Sequence, residues 1–236
     1  MDKKKEIERH QLIKFISNSE LKLRVSNIID FETPDFILDI DGLKVSLEHT
    51  RLINPKLKQL ESYREKIINN ALKLFREKYD DELYVLMTFN NIKLKSGLKA
   101  EMEYSIEVFK LVETIYLNNK NFEFDISSKF LDSKVSNLID SFSISNTRKF
   151  ENWQHFGAYL VERVNIEWLQ TIISKKEKNI KKYPEEYDEN WLLLVSDFGT
   201  KASTHDFEHS DFDKLESNFD RVYIYNYMPD AYMRIA

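Results

Sequence analysis

Cysteine is missing from this chain of 236 residues, and glycine and proline each occur only four times. Without cysteine, the protein forms neither disulfides nor thiolate metal sites. The four glycines, at positions 42, 97, 157 and 199, are far apart, which argues against a glycine-rich phosphate loop. A Gly-x-Ser-x-Gly motif is also missing, so an α/β-hydrolase is not expected.

Long apolar runs are missing too. No stretch approaches the roughly 18 consecutive apolar residues of a membrane span, so we expect no membrane partner. The first ten residues are charged and lack the apolar segment of a secretory signal, and we expect a cytoplasmic protein. The net charge of −5 argues mildly against non-specific binding to duplex DNA, which requires clustered Lys and Arg. The densest basic run, residues 175–182, is read as a solvated helix face, with contact to a phosphate backbone as the alternative.

The most informative stretch is residues 33–52, which reads as two short strands around Asp41-Gly42. Asp-Gly between apolar runs favours a two-residue hairpin loop, because both central residues tolerate positive φ. That loop pairs residues whose numbers sum to 83, and alternation then assigns one set of side chains to the core face. The core set is Phe36, Leu38, Ile40, Leu43, Val45 and Leu47.

The same register sets Asp35 opposite Glu48 on the other face, with Thr50 beside them. Directly opposed residues have Cβ atoms roughly 4.5–5.5 Å apart, where like charges repel. A divalent cation such as Mg²⁺ is the usual compensation, since it takes carboxylate oxygens. The alternative is that Asp35 is a turn residue after Pro34 and that Glu48 is solvated.

Pro34-Asp35 followed by Glu48-His49-Thr50 resembles the core of the PD-(D/E)XK nuclease-like superfamily. The resemblance implies that Asp35 and Glu48 bind Mg²⁺ or Mn²⁺, with the backbone carbonyl of His49 as a third ligand. An acidic residue on the preceding helix often joins such a site, and Glu8 or Glu6 is the nearest candidate.

The resemblance has one departure, at the position where the family usually has Lys. Thr50 stands there, so the ammonium group that assists hydrolysis is missing from the motif. Some members relocate this lysine, and Lys56 or Lys58 on the next helix is expected to supply the charge, while Thr50 orients water or binds the phosphate weakly. Gln59 and Tyr63 are similar to the Gln-x-x-x-Tyr element of exonuclease-like members and are expected to contact nucleic acid.

Hydrophobic periodicity predicts the remaining elements. Helices are predicted at residues 3–17, 57–79, 99–119 and 158–182, with a short one at 211–218. Further strands are predicted at residues 83–89, 122–126, 138–144, 191–196 and 221–225. Residues 21–29 are compatible with a strand or a connection. Since no linker or repeat interrupts the chain, we predict one nuclease-like α/β domain, residues 1–236, with a mixed central sheet flanked by helices and residues 92–157 as an elaboration.

The sequence therefore predicts metal-dependent hydrolysis of phosphodiester bonds in nucleic acid, with DNA as the expected substrate. The missing lysine leaves an alternative open, a catalytically inactive module of nuclease fold that binds nucleic acid or a protein partner. A plain interaction protein with a structural hairpin is a third alternative. Apolar stripes at 60–75 and 102–116 also leave a homodimer interface open.

Overall fold

The computed structural model describes residues 2–130, 135–148, 150–156, 161, 163–197 and 199–236. The helices within these ranges are α1 (Lys3–Ile16), α2 (Pro55–Arg76), α3 (Leu98–Asn119) and α4 (Ile166–Ile180). The first five strands are β1 (Val25–Asp30), β2 (Phe36–Ile40), β3 (Leu43–Arg51), β4 (Tyr84–Phe89) and β5 (Asp125–Ser127). The others are β6 (Ile139–Ser145), β7 (Asn152–His155), β8 (Glu189–Ser196), β9 (Arg221–Asn226) and β10 (Ala231–Arg234).

The chain divides into two compact units. The first unit comprises Met1–Lys58 and Leu160–Ala236, and the second comprises Gln59–Tyr159. A six-stranded sheet of order β1-β2-β3-β8-β9-β10 forms the first unit, and a four-stranded sheet of order β5-β6-β4-β7 forms the second. Both sheets are mixed, which confirms the predicted α/β class. The second unit begins well before the elaboration predicted at 92–157.

The hairpin predicted around Asp41-Gly42 is confirmed. Asp41 and Gly42 have φ values of 50° and 86°, and β2 pairs with β3 in the predicted register, for example Phe36 with Leu47 and Ile40 with Leu43. Four of the predicted core residues on the two strands are fully buried, whereas Leu43 is 41% exposed. Leu43 directly follows the turn, at the tip of the hairpin, where the prediction of burial is wrong.

The sheet of the first unit is covered on both faces. On one face, Leu12 and Phe15 of α1 pack into a cluster with the inward side chains of β2, β3, β8 and β9. On the other face, Leu169 and Ile173 of α4 pack against Leu192 and Leu194 of β8 and against β9. A sheet buried on both faces explains why Leu192–Val195 reads as a continuous apolar run.

The second unit has one main cluster. The apolar residues of α2 and α3, such as Phe75 and Val112, pack against one face of its sheet, where Val85, Met87 and Phe89 of β4 lie. The strand predicted at 83–89 is therefore present, but it belongs to this second sheet. The expectation of one central sheet is wrong for that reason.

Several element bounds differ from the sequence prediction. Helix α4 begins at Ile166 after the capping residue Asn165, and the earlier part of the predicted helix, 158–160 and 162, lies outside the described residues. The helix predicted at 211–218 is a single 3₁₀ turn, Phe212–Lys214. Strands β7 and β10 were not predicted, and the ambiguous segment 21–29 contains most of β1. No helix among the described residues is long and apolar enough to cross a bilayer.

Candidate functional site

Asp35 lies just before β2, at the end of the hairpin remote from its turn. Its Oδ2 accepts a hydrogen bond from the backbone N–H of His49 at 2.8 Å, so the carboxylate is held against β3. Its backbone carbonyl accepts hydrogen bonds from the N–H of Phe31 at 3.1 Å and from Nζ of Lys5 at 2.6 Å. The backbone N–H of His49 therefore orients the carboxylate, while Phe31 and Lys5 hold the backbone carbonyl of Asp35.

Glu48 lies on β3, and only 1% of its side chain is exposed. Its carboxylate is directed to the face covered by α4, where Nδ2 of Asn179 donates to both oxygens at 3.3 Å. The hydroxyl of Tyr183 donates to Oε1 at 3.4 Å. A buried carboxylate is stable in a protein only when such partners replace its water.

Lys176 of α4 joins the two carboxylates. Its Nζ lies 2.9 Å from Oδ2 of Asp35 and 2.6 Å from Oε2 of Glu48. One ammonium group is therefore shared by both acids, and about a fifth of the lysine side chain is exposed. The like-charge repulsion expected between Asp35 and Glu48 is compensated in this structure by Lys176.

Burial and the shared ammonium shift the pKa values of all three groups. Burial alone would lower the pKa of Lys176, but the charges of Asp35 and Glu48 outweigh it and raise that pKa. Burial raises the pKa of Glu48, and the nearby Asp35 adds to this, against the opposing effect of Lys176. Burial acts the same way on Asp35, but Lys176 and the His49 N–H together lower its pKa. At neutral pH, Lys176 is charged and Asp35 is ionised.

His49 follows Glu48 on β3 and is directed to the opposite face of the sheet. It is 3% exposed, and both ring nitrogens are buried without a hydrogen-bond partner among the described residues. Burial lowers its pKa to about 3, so its imidazole is neutral at physiological pH. In a strand the N–H and C=O of one residue face the same neighbour, so the His49 carbonyl lies on the Asp35 side.

A cavity of about 450 Å³ opens beside these groups. Its lining includes Asp35, His49, Thr50 and Lys176, together with Glu8 of α1. Glu8 is 8% exposed, and Nζ of Lys4 lies 3.4 Å from its Oε1. Three of the predicted ligand candidates, Asp35, His49 and Glu8, thus line one cavity together with Thr50, whereas the buried Glu48 is not part of its lining.

Other residues singled out in the sequence lie elsewhere. Glu6 lines a different cavity, with His10 and Asp197. Lys56 lines a third cavity at the start of α2, and Lys58 follows in the same first turn of that helix.

The two residues predicted to contact nucleic acid belong to the second unit. Gln59 is exposed on α2, and the hydroxyl of Tyr63 donates to the carbonyl of Lys95 at 2.9 Å.

The sequence analysis missed Lys176, Asn179 and Tyr183 as site residues. Their spacing of i, i+3 and i+7 is that of residues on a single helical face. The first two lie on α4 and Tyr183 lies just beyond its end, and all three contact Glu48. The signal is the basic run 175–182, for which the sequence favours a solvated helix face, because basic side chains near a helix C-terminus interact well with the helix dipole.

The carboxylates of Asp35 and Glu8 line the cavity of about 450 Å³ together with three cationic side chains, of Lys4, Arg51 and Lys176. Carboxylates and a backbone carbonyl are the ligands that Mg²⁺ and Mn²⁺ prefer. Among the described residues, no three His, Asp, Glu or Cys side chains are grouped closely enough to hold a metal ion by themselves. A site at Asp35 and Glu48 would therefore need the His49 carbonyl, water or a substrate oxygen to complete it.

Comparison with known proteins adds no relative. No protein-family model matches the chain, and no curated protein or solved structure shows a significant match.

Proposed function

We propose that this protein is a PD-(D/E)XK-like nuclease that hydrolyses phosphodiester bonds of nucleic acid, with DNA as the expected substrate and Mg²⁺ or Mn²⁺ as cofactor. One observation carries the proposal, the contact of the Lys176 ammonium with both Asp35 and Glu48. The motif at Glu48-His49-Thr50 lacks its lysine, and Lys176 supplies an ammonium beside the same two carboxylates from a different element.

The order of elements in the first unit supports this proposal. A helix, three strands, another helix and a further strand follow one another as α1, β1, β2, β3, α4 and β8, with the second unit inserted between β3 and α4. Strand β8 pairs in parallel with β3, as a strand after a crossover helix does. The resemblance implies this order of a helix, strands, a crossover helix and a further strand. The sequence alone favours 57–79 as the crossover helix and 83–89 as the further strand, whereas α4 and β8 take these positions in the structure.

The residues present fit a divalent cation. Asp35 and Glu48 each have one oxygen within 3 Å of the same Lys176 nitrogen, so the pair is arranged to share one positive charge. With the carbonyl of His49 on the Asp35 side, and with Glu8 on the same cavity wall, the donors are all hard oxygen atoms. When bound, the ion would lower the pKa of a water ligand and stabilise charge on the phosphate.

The remaining residues have separable roles in this proposal. Lys176 donates hydrogen bonds to a phosphate oxygen or orients the attacking water, since an ammonium next to developing negative charge stabilises it. Asn179 and Tyr183 are positioning residues, because they hold the Glu48 carboxylate by hydrogen bonds of 3.3–3.4 Å. Burial and the Glu48 charge raise the pKa of Tyr183, so its hydroxyl remains a donor. Thr50 lines the cavity and offers a hydroxyl to water or phosphate.

A cleavage assay tests the proposal. Labelled single- and double-stranded DNA and RNA of one sequence are incubated with Mn²⁺ and four proteins, namely the parent, Glu48→Gln, Lys176→Met and Lys175→Met. We expect Glu48→Gln and Lys176→Met to lose at least about 100-fold in rate, the typical loss when one charge-stabilising group is removed. Lys175 is exposed on the same helix, so Lys175→Met is the matched control and should keep the parent rate. Parent-like cleavage by Glu48→Gln would refute the assignment.

Calorimetric titration of Mn²⁺ separates metal binding from chemistry. Glu48→Gln should lose the binding heat, whereas Lys176→Met should keep it, because the lysine competes with the metal for the same oxygens. Loss of Mn²⁺ binding in Lys176→Met but not in Glu48→Gln would contradict the proposed ligand set.

The same lysine contact favours a second candidate, a non-catalytic module of nuclease fold. Lys176 already supplies a cationic partner to both carboxylates, which is the compensation otherwise expected from a metal ion. This candidate predicts a parent protein that binds nucleic acid or a protein partner but cleaves none of the four substrates with Mg²⁺ or Mn²⁺.

A further inference from the structure

The cavity that Lys56 lines belongs to the first unit and has a volume of about 550 Å³. It lies at the start of α2 and α4. Its lining includes Lys56 next to the first residue of α2, Arg163 and Asn165 just before α4, and Trp168 in the first turn of α4. Its volume falls within the range of roughly 300–1,000 Å³ that small-molecule sites occupy. We propose that this cavity binds a non-scissile nucleotide of the nucleic acid, with its phosphate on Lys56 and Arg163 and its base on Trp168. The inference rests on the proposed function, and it specifies where the nucleic-acid substrate is bound beyond the candidate active site.

The cationic side chains support a phosphate ligand. Lys56 and Arg163 are exposed, and neither forms an ion pair or a side-chain hydrogen bond with a described residue. Lys201 also lines the cavity and already takes part in another interaction. Glu167 is the acidic residue of the lining, so the three cations leave a net formal charge of +2. Both helix starts add the partial positive charge of their dipoles, which favours an anion.

The aromatic side chains support a base. Trp168 is half-buried, and it packs against the apolar residues that α4 shares with β8 and β9. It also packs against the ring of His205, whose centroid is 5.0 Å away at an interplanar angle of 44°. His205 in turn donates from Nε2 to the carbonyl of Leu52 at 3.2 Å, which fixes the imidazole. A rigid, partly exposed indole beside cations is the arrangement on which unpaired bases stack.

The position of the cavity along the chain connects it with the candidate active site. The cavity beside Asp35 is lined by His49, Thr50, Arg51 and Ile53. The cavity beside Trp168 is lined by residues 54–57, which follow directly in the chain. Thr50 and Lys56 are six residues apart, so their Cα atoms are separated by at most roughly 21 Å. About six stacked nucleotides span that distance. One strand can therefore reach both cavities. In this proposal Lys56 acts as a substrate-binding residue and Lys176 supplies the catalytic ammonium.

Tryptophan fluorescence provides a direct test, because Trp153 and Trp191 are buried and Trp168 is the partly exposed tryptophan. Single-stranded oligothymidylate is titrated into the protein in EDTA, so that no cleavage occurs, and emission is followed together with the anisotropy of a labelled oligonucleotide. We expect the oligonucleotide to quench the tryptophan emission of the parent protein. Trp168→Leu should lose the quenching and bind at least about fivefold more weakly, and Trp168→Phe should lose the quenching but keep most of the affinity.

The charge contribution is tested with the double variant Lys56→Ala, Arg163→Ala. It should bind at least about tenfold more weakly, and the slope of log affinity against log salt should fall in magnitude by about 0.7, the value for one phosphate contact on a single strand. Lys182→Ala, which removes an exposed lysine after α4, is the matched control and should leave affinity and slope unchanged. AMP should compete and quench, whereas equal competition by inorganic phosphate would refute base stacking.

The outcomes distinguish this inference from the nuclease proposal. Quenching by the oligonucleotide in EDTA, combined with no cleavage in Mn²⁺, would support the binding cavity and refute the nuclease. Cleavage by the parent, combined with unchanged affinity, salt slope and KM in the double variant, would refute the cavity alone.

Discussion

The ammonium nitrogen of Lys176 lies 2.6 Å from Oε2 of Glu48, although the two residues are 128 positions apart in the chain. The same nitrogen is 2.9 Å from Asp35, so a helix closes a site that begins on a hairpin. Lys176 is therefore expected to affect both the stability of the fold and the proposed hydrolysis, and the two effects can be measured separately.

Replacement of Lys176 by Met should destabilise the metal-free protein by about 3–5 kcal/mol, because it leaves the buried Glu48 and the half-buried Asp35 without their shared cation. Urea denaturation in EDTA measures the change. Lys175→Met should remain within about 0.5 kcal/mol of the parent, as expected for an exposed position. Equal stability of the two variants would show that the ion pair contributes little.

Acid should destabilise the protein through His49. Its pKa is about 3 in the folded state against 6.5 ordinarily, so the unfolded chain binds the proton first as pH falls. The contribution of neutral His49 to the free energy of unfolding is fully present above pH 6.5, and it is lost progressively as the pH falls to about 3. The full loss is on the order of 4–5 kcal/mol.

The variant His49→Phe tests this expectation, because it removes the titrating ring and fills a similar volume. Its unfolding free energy should depend less on pH between 6.5 and 3 than that of the parent. At pH 7 it should be as stable as the parent or more stable, since the two unpaired ring nitrogens are removed with the imidazole. An unchanged pH dependence would assign the acid sensitivity to other groups.

Substitution of Gly42 in the hairpin turn should destabilise the protein, because φ at this position is 86°. No atom lies within 4 Å of a Cβ built there, so the cost of Gly42→Ala is conformational and should be about 1–2 kcal/mol. At Gly199 the nearest atom to a built Cβ is 3.7 Å away, an ordinary contact, and the backbone is not in the left-handed region. Gly199→Ala should therefore be tolerated, and thermal denaturation of both variants gives the comparison.

The packing of α1 against the sheet should depend on the side chain of Phe15. This ring is fully buried and packs on the rings of Tyr223, Tyr225 and Tyr232, with centroids 5.2–6.2 Å apart. Phe15→Ala should cost about 3–5 kcal/mol. Ile13 is 41% exposed on the same helix, and Ile13→Ala should cost far less. A large loss at both positions would indicate that the outer face of α1 is also covered.

The hairpin was predictable because its determinants are local. Asp41 and Gly42 set the turn, and strict alternation of apolar residues then sets the pairing of Phe36 with Leu47. The register in turn predicts which carboxylates approach each other. Only Leu43 departs from the pattern, because alternation predicts the face of a side chain but not whether other elements extend far enough to cover it.

The remaining features depend on contacts between distant parts of the chain. The apolar run of β4 predicted a buried strand, but nothing in Leu83–Phe89 indicates which of two sheets receives it. Likewise, Lys176 lies in a basic run whose composition suits a solvated face. Only the arrangement of α4 over β3 reveals that this lysine and Asn179 are directed to Glu48.

The insertion of the second unit between β3 and α4 has a consequence for biosynthesis. A ribosome that adds roughly 5–20 residues per second needs about 6–25 s to progress from Glu48 to Lys176. During that interval the nascent hairpin carries two acids without their ammonium partner, and β3 lacks its neighbour β8. The site is therefore assembled late in translation, and a polypeptide truncated inside the second unit retains the acids but never acquires Lys176.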